Sequence, residues 1–192
     1  MGREPRGDTT GGVFHVTSRG NNQEPLFFDD FDWASLIHRL SRAAGKYRLR
    51  VFAYCLMGNH YHLVVAAPFG GLSEAIQWLN GGYSRRTNRR YGRSGHLFHN
   101  RFAARSVESD GHLLEACRYT VLNPVRASLC SSPEEWIWSS YRACAGLELA
   151  PPFLAEAELL ALFGSRPAEA RAAYRAFVAA GHVRVSDTVT GE

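Results

Sequence analysis

Apolar and polar residues along the chain fall into blocks whose period changes from two to about 3.6 and back. VFHVTS, Val13 to Ser18, predicts a first strand that ends in the Gly/Asn turn of RGNN. From Asp30 the period lengthens: Trp33, Leu36, Ile37 and Leu40 recur at helical spacing, Asp30 or Asp32 can cap the start, and Gly45 stands as a stop. RLRVFAYCLMGNHYHLVVAA is split at Met57-Gly58-Asn59 into two runs rich in β-branched and aromatic residues, which predicts a hairpin of buried strands. LSEAIQWLNGGYSRRTNRRYGRSG predicts a second helix from Ser73, with Leu72, Ile76 and Leu79 as its stripe and Gly81-Gly82 as a bend or interruption. HLFHNRFAARSV supplies another short strand. SDGHLLEACRYTVLNPVRASL predicts a third helix that turns Leu113, Leu114, Cys117, Val121 and Leu122 to the core, with Pro124 straining or ending it.

This order, β-α-β-β-α-β followed by a helix, predicts an α+β fold of the ferredoxin-like, split βαβ kind: a central antiparallel sheet flanked by helices. Pro151-Pro152 marks a joint, after which AEAELLALFG and PAEARAAYRAFVAAGH read as amphipathic helices of a C-terminal extension. The expected division is a flexible N-terminus over 1–12, a catalytic domain over 13–146, a helical extension over 147–185 and a disordered end over 186–192. No internal repeat is visible.

Composition narrows the class. The 192 residues are 45% hydrophobic, enough for one domain with a real core. No apolar run approaches the roughly 20 residues of a membrane span, and MGREPRGDTTGG has neither a secretory h-region nor the Ser or Thr at position 6 of a myristoylation signal. Cys55, Cys117, Cys130 and Cys144 show no CxxC or zinc spacing and read as reduced thiols. The expected location is cytoplasmic, in association with the nucleoid. Net charge is +4, and Lys46 is the one lysine, so 21 of the 22 basic residues are arginine. Guanidinium forks suit phosphates and bases, although a GC-rich genome also favours arginine.

The histidines of MGNHYHLVV change the picture. Positions i and i+2 of a strand share a face, so His60 and His62 stand side by side while Tyr61 points away. Two neutral imidazoles make half of a divalent-metal site, or simply a hydrogen-bonded pair at a sheet edge. In CRYTVLNPVRA, Tyr119 and Asn123 are four residues apart on one helical face. The Asn123 amide oxygen can complete a three-ligand site with open positions, and Tyr119 then holds its phenol near the bound substrate. Tyr141, Tyr83 and Tyr91 are rivals, but four residues after each stand Ala145, Thr87 and Gly95, none of them a ligand type. Tyr141 lies among Trp136 and Trp138 and reads as packing.

MGNHYHLVV, GHLFHNRF, YTVLNPVRASL and WSSYRA, in that order and spacing, resemble the single-tyrosine HUH transposases of the insertion-sequence (IS200-like) type and, more closely, their REP-associated relatives. The resemblance runs from about Val13 to Ala143. It implies binding of single-stranded DNA that carries a REP-like hairpin, strand cleavage by a tyrosine, a 5′-phosphotyrosine link, release of a 3′-hydroxyl, and rejoining without ATP. It implies Tyr119 as nucleophile and His60, His62 and Asn123 as metal ligands. The insertion-sequence branch usually carries glutamine where this chain has Asn123, one methylene shorter. The implied cofactor is Mg²⁺ or Mn²⁺, with the two imidazoles favouring Mn²⁺. A monomer is expected, with a dimer as the alternative.

Around that site, GGYSRRTNRRYGRSGHLFHNRF places Arg85, Arg86, Arg89, Arg90, Arg93 and Arg101 within 17 residues, with Tyr83, Tyr91 and Phe98 between them. The expectation is a phosphate-tracking groove beside the histidines with aromatic platforms for unpaired bases. Arg19, Arg118 and Arg126 are further DNA-binding candidates. His96, His99 and His112 match no metal spacing and read as structural or DNA-contacting; His15, on the first strand, stays open. Two rival functions remain: a domesticated hairpin-binding protein without catalysis, and a metal-dependent phosphodiesterase that uses water in place of Tyr119.

Overall fold

The computed structural model describes the backbone of residues 11–186 and side chains as far as residue 181. The expected flexible segment therefore lies, up to residue 10, outside the described residues, as do residues 187–192 of the expected disordered end. Strand β1 spans Val13–Arg19, helix α1 Asp30–Tyr47, β2 Arg50–Met57, β3 His60–Ala66, α2 Leu72–Tyr91, β4 Ala103–Val107 and α3 Asp110–Arg126. Short α4 (Tyr141–Cys144) and α5 (Glu156–Ala161) lead to α6, Pro167–Ser186. The four strands form one antiparallel sheet in the order β2-β3-β1-β4. This is the α+β arrangement expected from the element order.

Register decides which residues share a face. Arg19 pairs with His60, Thr17 with His62 and His15 with Val64, while β4 sets Arg105 opposite His15. All of these occupy one side of the sheet, because directly opposed residues point the same way. Phe14, Val16, Tyr61, Leu63 and Val65 fill the other side, and every residue of β3 after His60 is buried. A strand covered on both faces loses its polar alternation, which is why β3 reads as an almost unbroken apolar run.

Helices α1 and α2 cover the Tyr61 side. There the Tyr61 hydroxyl donates to Asn80 Oδ1 of α2 at 2.6 Å, and Asn80 Nδ2 donates to Ser18 Oγ at 2.9 Å. Helix α3 covers the histidine side, over β2 and β3, and α6 packs behind it. The outer edge of β2 is closed by the 136–140 segment: Leu56 N donates to the Trp138 carbonyl and Trp136 Nε1 to that of Leu56. Edge backbone is thereby protected from stray pairing. Cys55, Cys117 and Cys144 are buried free thiols and Cys130 is half-buried.

Several boundaries differ from those expected, each for a physical reason. Helix α1 is capped by Asp29, whose side chain accepts from Asp32 N, and runs past Gly45 to a left-handed Arg48. Buried Asp32 caps nothing; it accepts from Phe28 N, Arg90 and Tyr91. Helix α2 is continuous through Gly81-Gly82 because the glycine serves a neighbour: the Arg39 guanidinium of α1 lies where a Gly82 Cβ would stand, donating to the carbonyls of Trp78 and Leu79. Helix α3 carries Pro124 inside its last turn and continues to Arg126. After β1, Gly20 is required by close approach, since a Cβ there would meet the Glu24 carbonyl oxygen at 2.2 Å.

Candidate active site

Because α3 lies over β2 and β3, the β1–β4 half of the same face stays open. A cleft of about 620 Å³ results, floored by His15, Thr17, His62 and Arg105 and walled by His112, Glu115, Tyr119 and Arg126. The wall residues recur at intervals of three, four and seven along α3, so they form one stripe while Leu113, Cys117 and Val121 face the core. Tyr119 stands half-exposed at the lip. Its ring meets that of His62 edge-on at 5.9 Å between centroids and that of His15 at 5.7 Å, and Arg126 lies over it at 4.9 Å.

His60 and His62 are adjacent, with ring centroids 5.0 Å apart. Each has its Nδ1 occupied. His60 Nδ1 is 2.7 Å from Asn59 Oδ1, and His62 Nδ1 lies 3.0 Å from His15 Nε2 and 3.2 Å from Thr17 Oγ1. A proton held on Nδ1 in this way leaves the Nε2 lone pair of both rings free, which is the state of a metal-ligating imidazole. Both rings are also held neutral. Burial lowers the pKa of His60, aided by Arg19, and burial with the neighbouring His60, His15 and Arg19 pushes His62 down to about 3. His15 is lowered by burial, then by Arg105 and His112. These features fit a divalent cation on the two histidines.

Asn123 sits one turn beyond Tyr119. Pro124 has no N–H to give to the Thr120 carbonyl, and the Asn123 side chain turns back there instead: Nδ2 donates to the Tyr119 carbonyl at 2.9 Å and reaches that of Thr120 at 3.5 Å. This holds the amide by its nitrogen and keeps its oxygen for another partner. Among the described residues no three His, Cys, Asp or Glu side chains converge as a metal cluster. The Asn123 amide oxygen remains the candidate for a third protein ligand, although Asn123 is not among the residues that line the cleft.

The arginine arm is placed differently from expectation. Arg85, Arg86, Arg89 and Arg90 ride on α2, across the sheet from the cleft, and do not border the histidines. Arg90 is gripped by Asp29 and Asp32, at 2.7 Å from the latter, and Arg93 by Glu24. Arg118 is turned to Glu115 and to the Phe177 carbonyl of α6. Tyr83 is no platform for bases, being buried with its hydroxyl on the Leu26 carbonyl, and half-buried Phe98 packs edge-on against Tyr61. Tyr91 donates to Asp32. Of the remaining candidates, Arg19 lies beside His60 and Arg126 over Tyr119, while Arg101 lines a separate groove of about 740 Å³ between α2 and the 95–102 segment. His15, Arg105 and His112 join the site without any signal in their local sequence, because only the pairing of β1 with β3 and β4 brings them there.

A family model described as "Transposase IS200 like" matches residues 9–121. No curated protein matches the sequence. A solved structure of a REP-associated tyrosine transposase bound to a REP hairpin superposes with a TM-score of 0.66 at 16% identity, over 81% of this chain and 92% of that one. A putative transposase from Deinococcus radiodurans R1 gives a TM-score of 0.43 at 17% identity, over 70% and 97% of the two chains. Among the described residues no helix is long and apolar enough to cross a membrane.

Proposed function

The chain belongs to the IS200-like transposase family, and on that premise we propose that it nicks and rejoins single-stranded, hairpin-bearing DNA through Tyr119. The observation that carries this reading is the approach of Tyr119 on α3 to His62 on β3 in one open cleft, with His60 next to His62. The hairpin held by the structural relative motivates the same substrate class here.

In the proposed step the Tyr119 oxygen attacks the scissile phosphorus and the bond to the 3′ oxygen breaks. A 5′-phosphotyrosine forms, the phenol proton leaves, and the departing oxygen takes one up as a 3′-hydroxyl. Energy stays in the phosphotyrosine bond, so the reverse reaction joins strands. A neutral phenol is a weak nucleophile, and the reaction depends on stabilising charge as it grows on the phosphate. His60, His62 and the Asn123 oxygen would hold a divalent cation, Mg²⁺ or Mn²⁺, which would supply that stabilisation. Arg126, over the Tyr119 ring, and Arg105, in the floor of the cleft, add fixed positive charge from the chain itself. Arg19 extends it past His60.

The test is a denaturing gel of the protein with end-labelled single-stranded hairpin DNA and Mn²⁺, beside Tyr119→Phe. A protease-sensitive covalent band in the wild type alone is expected. Cleavage without an adduct assigns the nucleophile to water, and binding with no product by a folded protein leaves a hairpin-binding protein without catalysis.

A further inference from the structure

Arg118 immediately precedes Tyr119 on α3, yet its side chain turns toward α6 and is only 12% exposed. Its guanidinium is fixed from two helices. Nη2 donates to both oxygens of Glu115, at 2.7 and 2.5 Å, while Nη1 donates to the Phe177 carbonyl of α6 at 3.3 Å. The fork also lies over the Phe177 ring, 4.4 Å from its centroid. A glycine makes this approach possible: a Cβ at Gly181 would stand 2.7 Å from Arg118 Cδ and 2.9 Å from its Nε. Glycine is a poor residue for a helix interior, and in α6 it opens the slot that Arg118 fills. Helix α6 is itself tied down. Arg171 pairs with Glu156 of α5 at 2.8 Å, Arg175 donates to the Ala145 carbonyl at 2.8 Å, and the buried Tyr174 ring meets those of Tyr141 and Phe163.

We propose that Arg118 is a positioning residue for strand cleavage, and that α6 acts through it as a brace for the helix that carries the nucleophile. The proposal rests on the reading of Tyr119 as nucleophile. In-line attack needs the phenol oxygen within about 3–3.5 Å of phosphorus and aligned with the leaving bond, and a misplacement of about 1 Å can cost on the order of 100-fold in rate. The cleft side of α3 is open, so the helix is steadied from the sheet beneath it and from α6 behind it. Glu115 and Tyr119 lie one turn apart on the cleft stripe. By holding Glu115 while seated beside Tyr119 in the chain, one guanidinium ties that whole turn to α6. The planar fork suits this use, because it satisfies a carboxylate and a carbonyl at once. A fork engaged in this way and nearly buried is poorly placed to grip a phosphate, which separates Arg118 from the open arginines of the cleft.

The test uses the full chain and two variants. Arg118→Met keeps an apolar stem over Phe177 and removes the fork. Gly181→Ala leaves Arg118 in the sequence but fills its slot, and alanine is the better helix former, so α6 is not weakened as a helix. Circular dichroism checks that both are folded. Three quantities are then measured: hairpin-DNA affinity across a salt series, the rate of covalent adduct formation at saturating DNA with Mn²⁺, and the fluorine resonance of fluorotyrosine placed at position 119 alone, without DNA or metal. In both variants affinity stays within about twofold and the salt slope is unchanged, while the adduct rate falls by up to about 100-fold and the fluorine signal shifts or broadens. An adduct rate equal to that of the wild type overturns the brace. A salt slope smaller by roughly 0.9 in Arg118→Met makes Arg118 a phosphate contact and overturns it also. If the wild type forms no adduct, the nucleophile reading falls by itself. The fluorine signal then decides the brace, and a signal unchanged in both variants overturns it.

Discussion

The hydrogen bonding of His62 leads to a quantitative expectation for its neighbours. For its Nε2 to face a cation, its Nδ1 must carry the proton, and two acceptors lie within reach: His15 Nε2 at 3.0 Å and Thr17 Oγ1 at 3.2 Å. His15→Phe keeps a flat ring in the stack on His62, now 5.2 Å between centroids, but removes the nearer acceptor. Partners of this kind are worth about 10–100-fold in metal affinity. With Thr17 still in place the lower end applies, about tenfold or 1.4 kcal/mol. His15→Phe/Thr17→Val strands the buried N–H altogether and moves toward 100-fold, about 2.7 kcal/mol. His15→Gln, which restores an acceptor, recovers part of the loss. Isothermal titration calorimetry with Mn²⁺, paired with the paramagnetic resonance signal of free Mn²⁺, reads these affinities without reference to DNA cleavage. Binding by His15→Phe within twofold of the wild type, or a double variant no weaker than the single, would refute the reasoning.

Two further outcomes concern stability. Tyr61→Phe removes the donor to Asn80 Oδ1 and leaves the oxygen of that half-buried residue without its partner, at a cost of about 0.5–1.5 kcal/mol in urea denaturation; no change in midpoint would show that water replaces the bond. His62 has a folded pKa near 3, below its ordinary 6.5, so the unfolded chain binds more protons between those values and stability is full above pH 6.5 and lost as pH falls toward 3. At pH 4.5 the loss from this one group is on the order of 2–3 kcal/mol. Urea midpoints at pH 7.5 and 4.5 for wild type and His62→Leu check it: a drop of equal size in both would place the acid sensitivity elsewhere.

Local patterns in the chain carried most of the architecture. The period-two and period-3.6 blocks located four strands and the helices that cover them, and the HxH spacing put His60 and His62 on one face, where β3 holds them. What the pattern could not convey is long-range. That His15 reaches His62 depends on the β1–β3 register, and that Arg90 is consumed by Asp29 and Asp32 depends on α1 lying against α2, some sixty residues earlier in the chain. Gly81-Gly82 reads locally as a break, yet the helix runs through because Arg39 needs the space. An arginine-rich run likewise says nothing about which side of the sheet it will occupy.

The bond between Asn123 and the backbone of its own helix has a consequence for how this sequence can change. The firm bond, at 2.9 Å, is to the Tyr119 carbonyl, with the Thr120 carbonyl that Pro124 leaves without its helical donor at 3.5 Å. A substitution at 123 therefore acts on the helix turn that carries Tyr119 as well as on any ligand role, and the two effects change together.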